Sequence, residues 1–95
     1  MKYTAKIRIG WLTDDFSGDT ATEIMQKVEA FQDFDCLMRM GRSNEGKKGQ
    51  LELNKLSDFL DKYYDNELTI DDIRQLDVKL SIGDIKCLEL KENAE

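Results

Sequence analysis

The sequence contains no histidine, no proline and only two cysteines, and none of its apolar runs approaches the roughly 20 residues a membrane-spanning helix needs. Each absence excludes a class of chemistry. Without histidine there is no side chain that titrates near neutrality unperturbed, no phosphohistidine, and no imidazole ligand for a zinc ion. Without a long apolar run there is neither a spanning helix nor the hydrophobic stretch of a signal peptide, so the chain is expected in the cytoplasm. Cys36 and Cys87 lie within apolar runs and lack the spacing of a disulfide framework or a metal site. They read as buried free thiols in a reducing compartment. With no proline, no linker interrupts the 95 residues, which are expected to form a single domain, 1–95, with a frayed tail at 91–95.

What is present suits a folded domain. Hydrophobic residues make up 40%, charged residues 36% and aromatic residues 8% of the chain, enough apolar material to close a two-layer core. The 20 acidic residues outnumber the 14 basic ones for a net charge of −6. That excess repels nucleic acid and anionic membrane alike, so the expected partner is a protein.

The hydrophobic pattern gives the elements. Tyr3, Ala5, Ile7 and Ile9 alternate with Thr4, Lys6 and Arg8, which predicts a half-buried strand. Thr20 and Glu23 have the spacing of a capping box, and Ala21, Ile24, Met25, Val28 and Phe31 follow on one helical face, predicting a helix over about 20–32. Phe34, Cys36, Met38 and Met40 alternate, as do Leu51 and Leu53 beyond the polar GRSNEGKKG, so a hairpin with a long exposed tip is expected. Asn54 is positioned to cap a helix whose stripe is Leu56, Phe59, Leu60, Tyr63 and Tyr64. A short strand over 67–70 is expected, then one helical turn capped by Thr69 and Asp72. Last come alternating Val78, Leu80 and Ile82, a turn at Gly83-Asp84, and a returning strand to Leu90. The order βαββαβ with a C-terminal hairpin predicts an α+β, open-faced two-layer sandwich, its antiparallel sheet carrying the helices on one face.

No catalytic motif survives inspection. Gly41 to Lys48 matches the GxxxxGK half of a phosphate-binding loop, yet Lys48 stands where a hydroxyl for magnesium belongs and no strand-to-helix context surrounds it. Asp14, Asp15 and Asp19 cluster near Ser17 without the spacing of a calcium loop, and read as loop and cap acids that favour the positive end of the first helix. Three aspartates and a capped first turn close that helix mouth to phosphate. Trp11, at a strand end, is either a lid on the core or an interface anchor. Catalytic, metal and cofactor sites are therefore expected to be absent, and the candidate interface is Trp11, Asp14, Asp15, Ser17 and Asp19.

The glycine closing the first strand, the helix end at Val28 to Phe31, and GQLELNKLSDFLDKYYDNELTI at 49–70 together resemble the HPr family of phosphocarrier proteins over about residues 3–70. The resemblance implies an HPr-like fold; a ferredoxin-like topology has the same βαββαβ order. It also implies positions for the family's working residues: Ser17 falls at the phosphorylated histidine, Asp19 at its arginine partner and Lys55 at the regulatory serine. None is the residue such chemistry requires. The expected function is thus a noncatalytic regulatory or protein-interaction domain of HPr-like shape that is not phosphorylated on histidine. The alternative is an acidic inhibitor of a nucleic-acid enzyme, of the kind mobile elements encode, in which carboxylates occupy a phosphate-binding groove. Lys47, Lys48, Lys55 and Lys62 intersperse the acids of the middle third, against that alternative.

Overall fold

A computed structural model describes residues 1–93. The chain runs β1 (Tyr3–Gly10), β2 (Leu12–Gly18), α1 (Ala21–Phe31), α2 (Phe34–Glu45), α3 (Gln50–Tyr64), α4 (Ile70–Arg74), β3 (Asp77–Leu80) and β4 (Gly83–Glu92). The strands form one antiparallel sheet in the order β2-β1-β4-β3. All four helices cover one of its faces, an α+β two-layer arrangement. Among the described residues no helix is long and apolar enough to cross a membrane.

The buried face of β1 consists of Ala5, Ile7 and Ile9, the alternation the sequence predicts. Against it pack Ile24, Met25 and Val28 from α1, Leu53, Leu56, Leu60 and Tyr63 from α3, and Ile73 from α4, in one continuous core. Each such side chain contributes about 1.5–3 kcal/mol when fully withdrawn from water. Thr20 caps α1, its hydroxyl accepting from the Glu23 N–H, and Thr69 and Asp72 form a complete capping box on α4.

The expected βαββαβ order is replaced by two hairpins at the chain ends with four helices between them. Residues 34–40 are helical, not extended. Asp33 accepts from the N–H groups of Asp35 and Cys36 and so starts α2, and Phe34, Leu37 and Gly41 are buried at helical spacing. The run Phe34–Glu45 holds no β-branched residue, which removes the main local preference for a strand. Leu51 and Leu53 are likewise helical, in α3, which begins four residues before Asn54. The Asn54 side chain accepts from Gln50 within the helix and caps nothing. GRSNEGKKG therefore joins two helices rather than two strands, and most of its GxxxxG portion is itself helix. Gly41 lets α2 and α3 cross closely, since a Cβ there would meet Leu53 Cδ2 at 2.6 Å.

Three further expectations change. No strand forms at 67–70, where Leu68 is buried ahead of α4. The C-terminal hairpin exists, but Leu80 pairs with Gly83, so the turn is Ser81-Ile82. The tail is not frayed at its start: Lys91 and Glu92 belong to β4, and the Asn93 N–H donates to the Lys2 carbonyl. Residues 94–95 lie outside the described residues. Cys87 is buried and Cys36 half-buried, both as free thiols.

Gly83 holds positive φ (119°), and a Cβ on it would collide with the Gly10 Cα, because the two hairpin turns touch there. Gly46, also at positive φ (59°), has open space around it. Gly83→Ala, which adds a clash to the backbone strain, should therefore destabilise the fold more than Gly46→Ala, which carries backbone strain of about 1–3 kcal/mol alone, as read from the midpoints of urea unfolding.

Candidate interaction surface

The residues singled out around the first strand do not form a loop. Trp11 sits on the two-residue turn that leads into β2, Asp14, Asp15 and Ser17 lie along β2, an edge strand, and Asp19 follows it just before the cap of α1. Ile9 pairs with Leu12, leaving Gly10 and Trp11 as the turn, with Gly10 at φ 64°. A glycine first in a two-residue hairpin supplies the positive φ that matches the twist of the flanking strands. Trp11 is carried out into solvent, 90% exposed, with Leu12 beside it 59% exposed. Of the two roles open to this tryptophan, a lid on the core is excluded. Its ring borders a recess of about 460 Å³ between the two hairpin turns, lined also by Arg8, Thr13, Leu80 and Asp84.

Along β2 the side chains alternate between faces. Phe16 and Gly18 turn toward the helices and are buried. Phe16 meets Phe31 edge-to-face at 5.8 Å, and Gly18 lets α1 approach, since a Cβ would lie 2.9 Å from Glu23 Cβ. Asp15 and Ser17 stand opposite Lys6 and Thr4 on the uncovered face. The Ser17 and Thr4 hydroxyls share a hydrogen bond of 2.9 Å. Asp14 and Asp15 are both exposed, on opposite faces of the strand, and among the described residues neither forms an ion pair. Asp19 is spent locally, accepting from the Lys2 N–H at 2.9 Å.

The mouth of α1 is occupied by its own side chains: Thr20 Oγ1 accepts from the Glu23 N–H and Glu23 Oε2 from the Asp19 N–H. Among the described residues no group of three histidine, cysteine, aspartate or glutamate side chains converges on a metal-sized space. Asp14, Asp15 and Ser17 therefore lie along one edge strand, with Asp19 just past its end.

The two edges of the sheet differ. At β3, carboxylates from the helical layer reach over the edge: Glu52 accepts from the Lys79 N–H at 3.2 Å, and Glu45 accepts from both the N–H and the hydroxyl of Ser81. The Lys55 ammonium, together with that Lys79 N–H, holds the Glu52 carboxyl below its usual range. Gly49 makes the Glu45 reach possible, because a Cβ at Gly49 would fall on the Glu45 side chain. At β2, among the described residues, the only side-chain cover of the outer backbone is local, from Asp14 Oδ1 to the Asp15 N–H. An edge whose N–H and C=O groups lack partners is a template for another strand.

A second surface was not anticipated. Between α2 and α3 runs a groove of about 520 Å³ with Asp33, Asp35 and Asp61 along it, Arg39 and Arg42 beyond them, and Met38 and Leu60 as its floor. Tyr64, expected in the core, is 54% exposed there, whereas Tyr63 is buried against Phe34. Burial and the adjacent Glu29 push the Tyr63 hydroxyl up to about 12, so it remains protonated at physiological pH. Periodicity alone does not separate adjacent tyrosines at the end of a helical stripe.

No family model, no curated protein and no solved structure matches the chain.

Trp11 is the sole tryptophan, so its environment is directly readable. Its fluorescence should be that of a solvated indole, quenched by acrylamide nearly as efficiently as a free tryptophan derivative. Trp11→Ala should shift unfolding stability by less than about 0.5 kcal/mol, the range of surface substitutions.

Proposed function

We propose that the protein is a noncatalytic protein-interaction domain that binds its partner through the Trp11 turn and the β2 edge. The observation that carries this reading is the exposure of Trp11. A tryptophan left 90% in solvent beside an exposed leucine, on a short turn braced by the neighbouring hairpin, offers a large rigid apolar anchor that the fold itself does not use. Reaction chemistry has little to work with. The chain has no histidine, the buried Tyr63 hydroxyl is held protonated, and burial pushes the Cys87 thiol up and away from nucleophilic behaviour. A regulatory role, binding a partner without carrying a phosphoryl group, falls within this reading.

A second reading, the acidic inhibitor of a nucleic-acid enzyme, draws support from α3. Asp58 and Asp61 on it and Asp65 at its C-cap recur at helical spacing on exposed positions. The lysines that intersperse them are engaged, Lys55 with Glu52 at 3.0 Å and Lys62 with Asp72 at 3.4 Å. Such a stripe would bind a basic groove in a strongly salt-dependent way.

Capture of partners from the cytosol of the source cell, at low and moderate salt, separates the readings. On the interaction reading, Trp11→Ala lowers capture of the main partner at least about ten-fold and the Asp58→Asn, Asp61→Asn, Asp65→Asn triple variant does not. Recovery of a nucleic-acid enzyme, lost as salt rises and lost in the triple variant while Trp11→Ala leaves it intact, would replace the first reading with the second.

A further inference from the structure

We propose that β2 is a docking strand: an extended, basic segment of the partner protein adds to the sheet beside it as a fifth strand. The inference rests on the interaction reading and specifies its chemistry.

Three observations converge on β2. An open four-stranded sheet has two edges, and here the helical layer caps one of them. Glu52 occupies the N–H of Lys79 on β3 and Glu45 that of Ser81 in the turn just beyond it, so an incoming strand would have to displace carboxylates held by the helical layer to pair there. On the outer backbone of β2, among the described residues, the side-chain acceptor present is local, Asp14 Oδ1 on the Asp15 N–H, which an incoming strand would displace without disturbing another element. Acids sit at the middle of this edge: Asp14 and Asp15 are exposed and, among the described residues, without ion pairs, although Lys6 faces Asp15 across the ladder. At the turn end of the strand, Trp11 and Leu12 supply the apolar contact.

The alternation of a strand converts this layout into a sequence preference. Asp14 and Asp15 point to opposite faces, so two consecutive basic residues in the partner, one on each face, would lie beside them. Leu12 shares a face with Asp14, so an apolar residue is wanted two places beyond the basic residue beside Asp14, toward the Trp11 end. The partner motif is a basic pair, one unspecified residue, then an apolar residue, read in that order for antiparallel addition and reversed for parallel addition. A second copy of this chain is disfavoured as the occupant. Antiparallel pairing about the middle of β2 sets Asp15 against Asp15, and parallel in-register pairing sets both acids against themselves; like charges directly opposite are destabilising.

The test is titration of the ¹⁵N-labelled full chain with a synthetic eight-residue peptide carrying two lysines, a threonine and a leucine in that order, flanked by threonine and valine. The expected result is chemical-shift change concentrated at residues 11–18, new protection of alternate β2 amides from solvent exchange, and binding weakened about ten-fold by Asp14→Asn with Asp15→Asn. A companion peptide, N-methylated at the backbone nitrogens that would face β2, leaves the protein unaltered and should lose binding. Equal binding of the N-methylated peptide, shift changes centred on the α2–α3 groove, no binding, or a β2-mediated dimer of the free chain would each overturn strand addition. If the peptide fails while Trp11→Ala still abolishes partner capture, strand addition alone is wrong. If capture is indifferent to Trp11 as well, the interaction reading falls with it.

Discussion

The structure depends on the pairing of β1 with β4, which brings residues 3–10 against residues 84–92 from opposite ends of the chain. Closing so long a loop costs entropy before any contact offsets it, so this ladder is the most expensive contact to form and the one from which the others follow. Once β1 and β4 are central, β2 and β3 become the edges, each attached through a two-residue turn. The intervening residues are left to fold as helices over one face. Leu88 records the accommodation: Lys6 pairs with Glu89 and Ile7 with Cys87, so Leu88 is the extra residue of a bulge and is exposed. The bulge keeps Cys87 and Leu90 on the helix side on either side of it.

Acidic residues then act in opposite ways at the two edges. Glu45 and Glu52 turn inward from α2 and α3 and neutralise the pairing potential of β3 with their oxygens. Asp14 and Asp15 stand on β2 itself, where among the described residues the backbone is met only locally, by Asp14 Oδ1 on the Asp15 N–H. Charge on an edge strand discourages self-association while remaining compatible with a partner of opposite sign. The uncovered face of the sheet fits the same picture, since Lys6, Arg8, Lys79, Lys86 and Lys91 are interleaved there with Asp15, Asp77, Asp84 and Glu89. No single-sign field arises on that face to draw in nucleic acid.

Much of this was legible in the sequence wherever one periodicity excluded the other. Tyr3 to Ile9 fit only a strand, Ala21 to Val28 only a helix, and Thr69 with Asp72 announced a cap. Between 34 and 53 both periods fitted: Phe34 and Met38 are two steps apart on a strand and one turn apart on a helix, and the outcome rested on Leu37, which is buried, against Met40, which is exposed. β2 was hidden for a different reason. Its two aspartates have poor strand propensity, and only Phe16 and Gly18 of its residues are buried, so its pattern resembles a loop. The candidate residues Trp11, Asp14, Asp15, Ser17 and Asp19 were visible by type, but their arrangement along a free edge was not. The closure of β3 by Glu45 and Glu52 had no local signal at all, because it joins residues 36 and 27 positions apart.

The central claim, that one edge is closed and the other open, is tested most directly by native-state hydrogen exchange followed amide by amide. The account predicts that the Lys79 and Ser81 N–H groups are protected although β3 is an edge strand, while alternate amides along Leu12–Gly18 exchange with little protection. Equal protection of both edges in the free protein, or rapid exchange at Lys79 and Ser81, would contradict it.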